Sequence, residues 1–164
     1  MATVATRLGN QAIGAAGELF VQYHLIKRGI DSARLTTDSG IDLVMYVPGA
    51  REAHTVQVKA TNTNYPYGVG TAPQLWFPFP VTCRAQWLAV VDLPRDLAWL
   101  LPIEDALYLA RGRGKAGTTT LMWYIGDKPK RATIPAESDF DQYRIETVAD
   151  RFVATESVAS ERDS

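Results

Sequence analysis

Strict alternation over Val56-Gln57-Val58-Lys59-Ala60 constrains the fold more than any other feature of the chain. An extended strand puts Val56, Val58 and Ala60 on one face and Gln57 and Lys59 on the other. Ile41 to Val47, rich in β-branched and aromatic residues, precedes this run, and Pro48-Gly49 between them is a turn signal. The two runs read as a β-hairpin whose apolar face needs a partner. Helical spacing of Ile13, Ala16, Phe20 and Tyr23, with Leu19 and Ile26 on an adjoining row, supplies one over Gln11 to Arg28, and Gly29 is its stop signal. Gly14 and Gly17 inside that helix each cost about 1 kcal/mol relative to Ala, which predicts a close approach along its N-terminal half.

Downstream, Tyr65 to Pro80 holds four prolines and two glycines among its aromatics and reads as a long, partly ordered loop with at most one short strand. Gln86 to Leu93 and Leu97 to Ile103, separated by Pro94-Arg95-Asp96, form a second, buried hairpin. Glu104 to Ala110 reads as a short helix and Thr118 to Ile125 as a strand. Periodicity fades after Asp150. The 164 residues therefore read as one domain over 1–150 and an acidic tail over 151–164, disordered from Thr155 to Ser164.

With 46% hydrophobic and 21% charged residues the chain is too apolar for intrinsic disorder. Its net charge of -1 hides an asymmetry: residues 137–164 carry eight acids against three bases, a net -5, which leaves +4 on the rest. A mildly basic body is compatible with nucleic acid. Cys83 is the single cysteine, which excludes an internal disulfide and a multi-cysteine zinc site and gives the thiol a structural reading. Met1 to Gly9 has no secretory pattern. The longest apolar region, Trp87 to Ile103, is interrupted by Asp92, Pro94, Arg95 and Asp96, short of the ~20 residues a membrane helix needs. The expectation is a cytoplasmic, soluble protein without a membrane partner.

The chemistry concentrates on the first hairpin. Asp42, just after Gly40-Ile41, can bring a carboxylate to the amide of Gln57 and the ammonium of Lys59, with Glu18 supplied from the helix. Hard divalent cations prefer oxygen ligands and Mg2+ takes only one or two protein carboxylates, which the Asp42 carboxylate, the Gln57 amide and the Val58 carbonyl satisfy. Lys59 could stabilise developing negative charge or help deprotonate a water whose pKa the metal lowers. Phosphodiester hydrolysis is the expected reaction. Singly, Glu18 reads as a solvated helix residue, Asp42 as a strand-start residue and Lys59 as a surface charge.

Gly17-Glu18, Gly40-Ile41-Asp42-Leu43 and Val56-Gln57-Val58-Lys59-Ala60-Thr61, in that order, resemble the PD-(D/E)XK nuclease superfamily. Its small members with Gln in the third acidic position are similar, intron-associated homing endonucleases and archaeal Holliday-junction-resolvase-like proteins among them. Trp87-Leu88-Ala89-Val90-Val91-Asp92 followed by Trp99-Leu100-Leu101-Pro102-Ile103 extends the resemblance over about Gln11 to Asp105. The resemblance implies an α/β fold with a restriction-endonuclease-like αβββαβ core around a central mixed sheet. It also implies Glu18, Asp42 and Gln57 at a Mg2+ site, with Mn2+ as a substitute, and Lys59 beside the scissile phosphate. Ile41 stands where the family name has Pro. Gln57 removes a negative charge, which favours one metal over a two-metal clamp and leaves open a catalytically inert descendant.

Weaker signals surround this centre. Arg111-Gly112-Arg113-Gly114-Lys115 departs from the phosphate-binding P-loop, since Leu109 replaces its first Gly and Ala116 its Ser or Thr. Arg111, Arg113, Lys115, Lys128, Lys130 and Arg131 instead read as contacts to nucleic-acid backbone or as solvated connectors. Tyr65, Tyr67, Trp76, Phe77 and Phe79 either stack on bases or, more commonly for such residues, fill core. His24 and His54 lack companions at zinc-ligand spacing, and Ser39 lacks a serine-hydrolase context. The leading expectation is a Mg2+-dependent deoxyribonuclease acting at junctions or at specific sites, with a homodimer among its candidate assemblies. Its alternatives are a catalytically inert nucleic-acid-binding or assembly protein on a nuclease scaffold and an RNA-directed nuclease.

Overall fold

The structure, a computed structural model, describes residues 8–37, 39–63, 65–66, 72–113 and 117–162. Helix α1 (Asn10–Ile26) buries Val21 and Leu25. Past its end Gly29 adopts φ 82°, and Ile30 N–H reaches back to the Leu25 carbonyl at 3.1 Å, closing the last turn. A Cβ on Gly17 would lie 2.5 Å from the Ala60 Cβ, whereas one on Gly14 would meet nothing within 4 Å. Close approach therefore explains Gly17 and not Gly14.

Strands β1 (Asp31–Arg34), β2 (Leu43–Tyr46) and β3 (His54–Thr61) form an antiparallel run in which Leu43 pairs with Val56. Strand β1 has no apolar alternation and was not expected; its register with β2 puts it there. After β3 the chain builds β4 (Tyr65–Pro66) and β5 (Pro73–Pro80), then returns as β6 (Trp87–Asp92) and β7 (Leu97–Pro102). β3 and β6 are parallel and the other neighbours antiparallel, giving a central mixed sheet of order β1-β2-β3-β6-β7. Strands β4 and β5 occupy the connection that an αβββαβ order assigns to a helix. Helix α2 (Ile103–Leu109), β8 (Arg111–Arg113), β9 (Thr118–Tyr124) and α3 (Ile145–Arg162) complete the chain.

Strand β5 corrects the expectation of a loop over Tyr65 to Pro80. It joins a second sheet of order β4-β5-β9-β8, pairs with β9 from Gln74 to Pro80, and meets β4 only at Pro73 and Gln74. Beyond Pro73 and Gln74 no described residue pairs with its other edge, and such an edge tolerates prolines because a missing N–H there breaks few ladder bonds. Leu75, Phe77 and Phe79 point inward, so Phe77 and Phe79 are core, while Trp76 is 41% exposed. The side chain of Tyr65 and all of Tyr67 lie outside the described residues.

Helix α3 corrects the expectation of a disordered tail as far as Arg162; Asp163 and Ser164 lie outside the described residues. Ile145, Val148, Ala149 and Phe152 anchor its first half in the core. Beyond them polar bonds carry it on: the Thr155 hydroxyl donates to the Arg151 carbonyl at 3.0 Å, the Ser157 hydroxyl to that of Val153 at 2.8 Å, and Glu156 lies 3.7 Å from His54. No apolar stripe announces such a segment.

The central sheet is buried on both faces. Val56 and Val58 meet α1 and α3 through Val21, Leu25 and Phe152. Leu88, Val90, Trp99 and Leu101 face Phe77, Phe79, Leu121, Trp123 and Phe140. Among the described residues no helix is long and apolar enough to cross a membrane.

Candidate active site at the β2–β3 splay

Asp42 stands where β2 parts from β3. Its N–H donates to the Val56 carbonyl at 2.9 Å, the last backbone link between the two strands on this edge, and its carbonyl accepts from Leu35 N–H at 2.9 Å. Gly40, at φ 75°, supplies the turn that brings the chain in. The next inward-facing donor on β3, Val58 N–H, is taken by Asp42 Oδ2 at 2.6 Å. A side-chain carboxylate thus replaces a strand at the splay. Because the N–H and C=O of one strand residue point to the same side, the Val58 carbonyl faces this gap too.

Gln57 and Lys59 share a face of β3, as alternation requires, and their register opposite Leu88 and Val90 puts that face on the aromatic-core side of the sheet. Gln57 is only 4% exposed. Cys83, which follows β5, donates from Sγ to Gln57 Oε1 at 3.2 Å. Burial raises the Cys83 pKa; Lys59 pulls it back down and Asp42 pushes it up, so both charges are felt at the thiol.

Glu18 follows Gly17 on α1 and approaches from the opposite face. Its Oε2 accepts from Arg34 Nε at 2.8 Å and from Arg34 Nη2 at 2.7 Å. Glu18, Arg34, Leu35, Thr36, Thr37 and Asp42 line a cavity of about 560 Å³. The structure therefore brings Glu18 and Asp42 to one cavity; Gln57 and Lys59, expected with them, lie outside its wall, on the face of β3 turned away from α1. Arg34 was missed in the sequence, since only the unannounced strand β1 brings it beside Glu18.

Among the described residues no group of three or more His, Cys, Asp and Glu could hold a metal ion. The oxygen set at the splay is the Asp42 carboxylate and the Val58 carbonyl; the Gln57 amide oxygen, one residue away, is turned to Cys83, and Glu18 is engaged by Arg34. That set fits a hard cation that keeps most of its shell for water and phosphate, and it does not fit zinc.

The basic residues lie elsewhere. Arg111 is exposed on β8, and Lys128, Lys130 and Arg131 are exposed in the segment after β9; none lines the cavity. Lys115 and the Arg113 side chain lie outside the described residues. His24 lies 3.4 Å from Glu146, its pKa lowered chiefly by burial, and His54 stacks edge-on with Phe152, so both are packing residues.

No family model and no curated protein matches the chain. Among solved structures it is similar to I-Ssp6803I, a bacterial homing endonuclease, at 14% identity and a TM-score of 0.63, over 95% of this chain and 99% of that one. It also matches Hjc, a Holliday junction resolvase from the archaeon Archaeoglobus fulgidus, at 14% identity and a TM-score of 0.44, over 65% of this chain and 81% of that one. The chain shares its α/β fold, helices around a central mixed sheet, with that homing endonuclease, as its resemblance to the PD-(D/E)XK superfamily implied.

Proposed function

We propose that the chain is a Mg2+-dependent endonuclease hydrolysing DNA phosphodiester bonds. The observation that carries the reading is the Asp42 carboxylate set into the splay on Val58 N–H, with Gln57 and Lys59 on the adjoining strand and Glu18 across the cavity. Asp42 and the Val58 carbonyl would hold the ion, with the Gln57 amide as a neutral third oxygen once it leaves Cys83; Mn2+ would take the same donors. When bound, the ion polarises the phosphate and lowers the pKa of water.

The protein's own groups do the rest. Val58 N–H fixes the Asp42 carboxylate, so its orientation is set before substrate arrives. Lys59, on β3 one residue past Val58, would stabilise negative charge growing on the phosphate oxygens. Arg111, Arg113, Lys115, Lys128, Lys130 and Arg131 hold the DNA backbone at a distance from the cutting site.

A second reading, a catalytically inert nucleic-acid-binding scaffold, is favoured by one specific arrangement: Gln57 is buried with its amide oxygen on Cys83, and Glu18 is neutralised by Arg34. Calorimetry with Mg2+ beside a plasmid-nicking assay separates the two. Asp42→Ala is expected to lose both metal binding and nicking, and Lys59→Ala to keep metal binding while nicking falls by about 10²-fold or more. Gln57→Glu, by adding a carboxylate, tightens the metal. A wild-type protein that neither binds Mg2+ nor nicks DNA selects the inert scaffold.

A further inference from the structure

Arg34 is the cation on the wall of the Glu18–Asp42 cavity. It places two donors, Nε and Nη2, on the same oxygen of Glu18, which leaves that oxygen little capacity for a further partner. Its side chain remains 41% exposed against 21% for Glu18, so the guanidinium is reachable from the cavity while the carboxylate is half shielded behind it. The two threonines, Thr36 and Thr37, and Asp42 complete a polar wall.

A guanidinium fork fits phosphate as well as it fits carboxylate. The backbone beneath it is fixed, since Arg34 pairs with Leu43 and Leu35 N–H is bonded to the Asp42 carbonyl. The side chain alone can therefore exchange partners. We propose that Arg34 is a substrate-responsive switch: in the free protein it occupies Glu18, and a nucleic-acid phosphate entering the cavity draws it away, freeing Glu18 to join Asp42 in holding the divalent cation. This deepens the metal-dependent nuclease reading and rests on it.

The consequence is a coupling between two ligands. DNA tightens metal binding, and by linkage the metal tightens DNA binding by the same factor. A pair that merely tied α1 to β1 would produce no such coupling.

The test follows free Mn2+ by electron paramagnetic resonance, with and without a short DNA duplex, in a Lys59→Ala background that keeps the duplex intact. An exposed ion pair of this kind holds back binding by about fivefold, so the duplex is expected to tighten Mn2+ about fivefold. Arg34→Gln should produce the same gain without DNA and no further gain with it. Arg34→Lys, which keeps the charge and loses the fork, should retain a reduced coupling. In EDTA, followed by fluorescence anisotropy, Glu18→Gln should tighten the duplex, and the gain should vanish in the Glu18→Gln/Arg34→Gln double variant. That arm keeps the proposal falsifiable if Arg34→Gln alone unfolds. Mn2+ affinity indifferent both to Arg34→Gln and to the duplex, or a Glu18→Gln gain that persists without Arg34, would overturn the switch. Mn2+ binding unchanged by Asp42→Ala would overturn the parent reading instead.

Discussion

The Cys83 thiol, hydrogen-bonded to Gln57 at 3.2 Å, reports on the charges of the site without taking part in it. Burial raises its pKa, Lys59 lowers it and Asp42 raises it. The thiolate is the form that reacts with maleimide, so a higher pKa means slower labelling at a fixed pH. Lys59→Ala removes the lowering charge and is expected to slow labelling near pH 8, whereas Asp42→Asn is expected to speed it. As the single cysteine, Cys83 gives one labelling rate, which stopped-flow fluorescence reads directly. Rates unmoved by both substitutions would mean that neither charge reaches the thiol. Alternation alone told that Gln57 and Lys59 share a face. It could not tell that Gln57 is buried against Cys83, because that contact depends on where β5 returns, nor that Arg34 occupies Glu18, because Asp31 to Arg34 carries no strand pattern.

Helix α1 offers a test at the scale of one element. At Gly17 a methyl group would collide with Ala60, and overpacking of this kind costs about 1–3 kcal/mol, more than the ~1 kcal/mol that helix propensity returns. Gly17→Ala is therefore destabilising. Gly14→Ala, with open space around the new methyl, should stabilise by about 0.5–1 kcal/mol. Urea unfolding of the two variants reads both signs, and a stable Gly17→Ala would contradict the seating of α1 on β3. The sequence signalled two costly glycines without saying which one faced the sheet. Strand β3 was legible from its alternation and β6 and β7 from unbroken apolar runs that are buried on both faces, whereas α1 was legible in extent but not in face, since Leu19, Tyr23 and Ile26 are more than half exposed and Gly17, Val21 and Leu25 are buried. Strand β5 was hidden by prolines that its unpaired edge tolerates, and the far half of α3 by polar bonds that leave no apolar period.

Across the whole molecule, the acidic C-terminal stretch and the basic body are not separate regions. Asp150 on α3 lies 3.6 Å from Arg28 on α1, which sets part of the negative charge against the basic body, and Glu146 lies 3.4 Å from the His24 ring. Among the described residues, exposed bases include Arg111 on β8 and Lys128, Lys130 and Arg131 after β9. The two hairpins could be read directly from their apolar runs and the mixed central sheet only through the family resemblance, while the second sheet that covers it could not be read at all. Fold and candidate site meet in a single claim, that the carboxylate at the β2–β3 splay serves metal-dependent cleavage of DNA. Incubating the purified chain with linear, branched and single-stranded DNA, in Mg2+ or in EDTA, beside Asp42→Ala, tests it most directly. The account predicts cleavage of at least one form in Mg2+, none in EDTA and none by Asp42→Ala; cleavage that survives EDTA or the loss of Asp42, or no cleavage of any form, would contradict it.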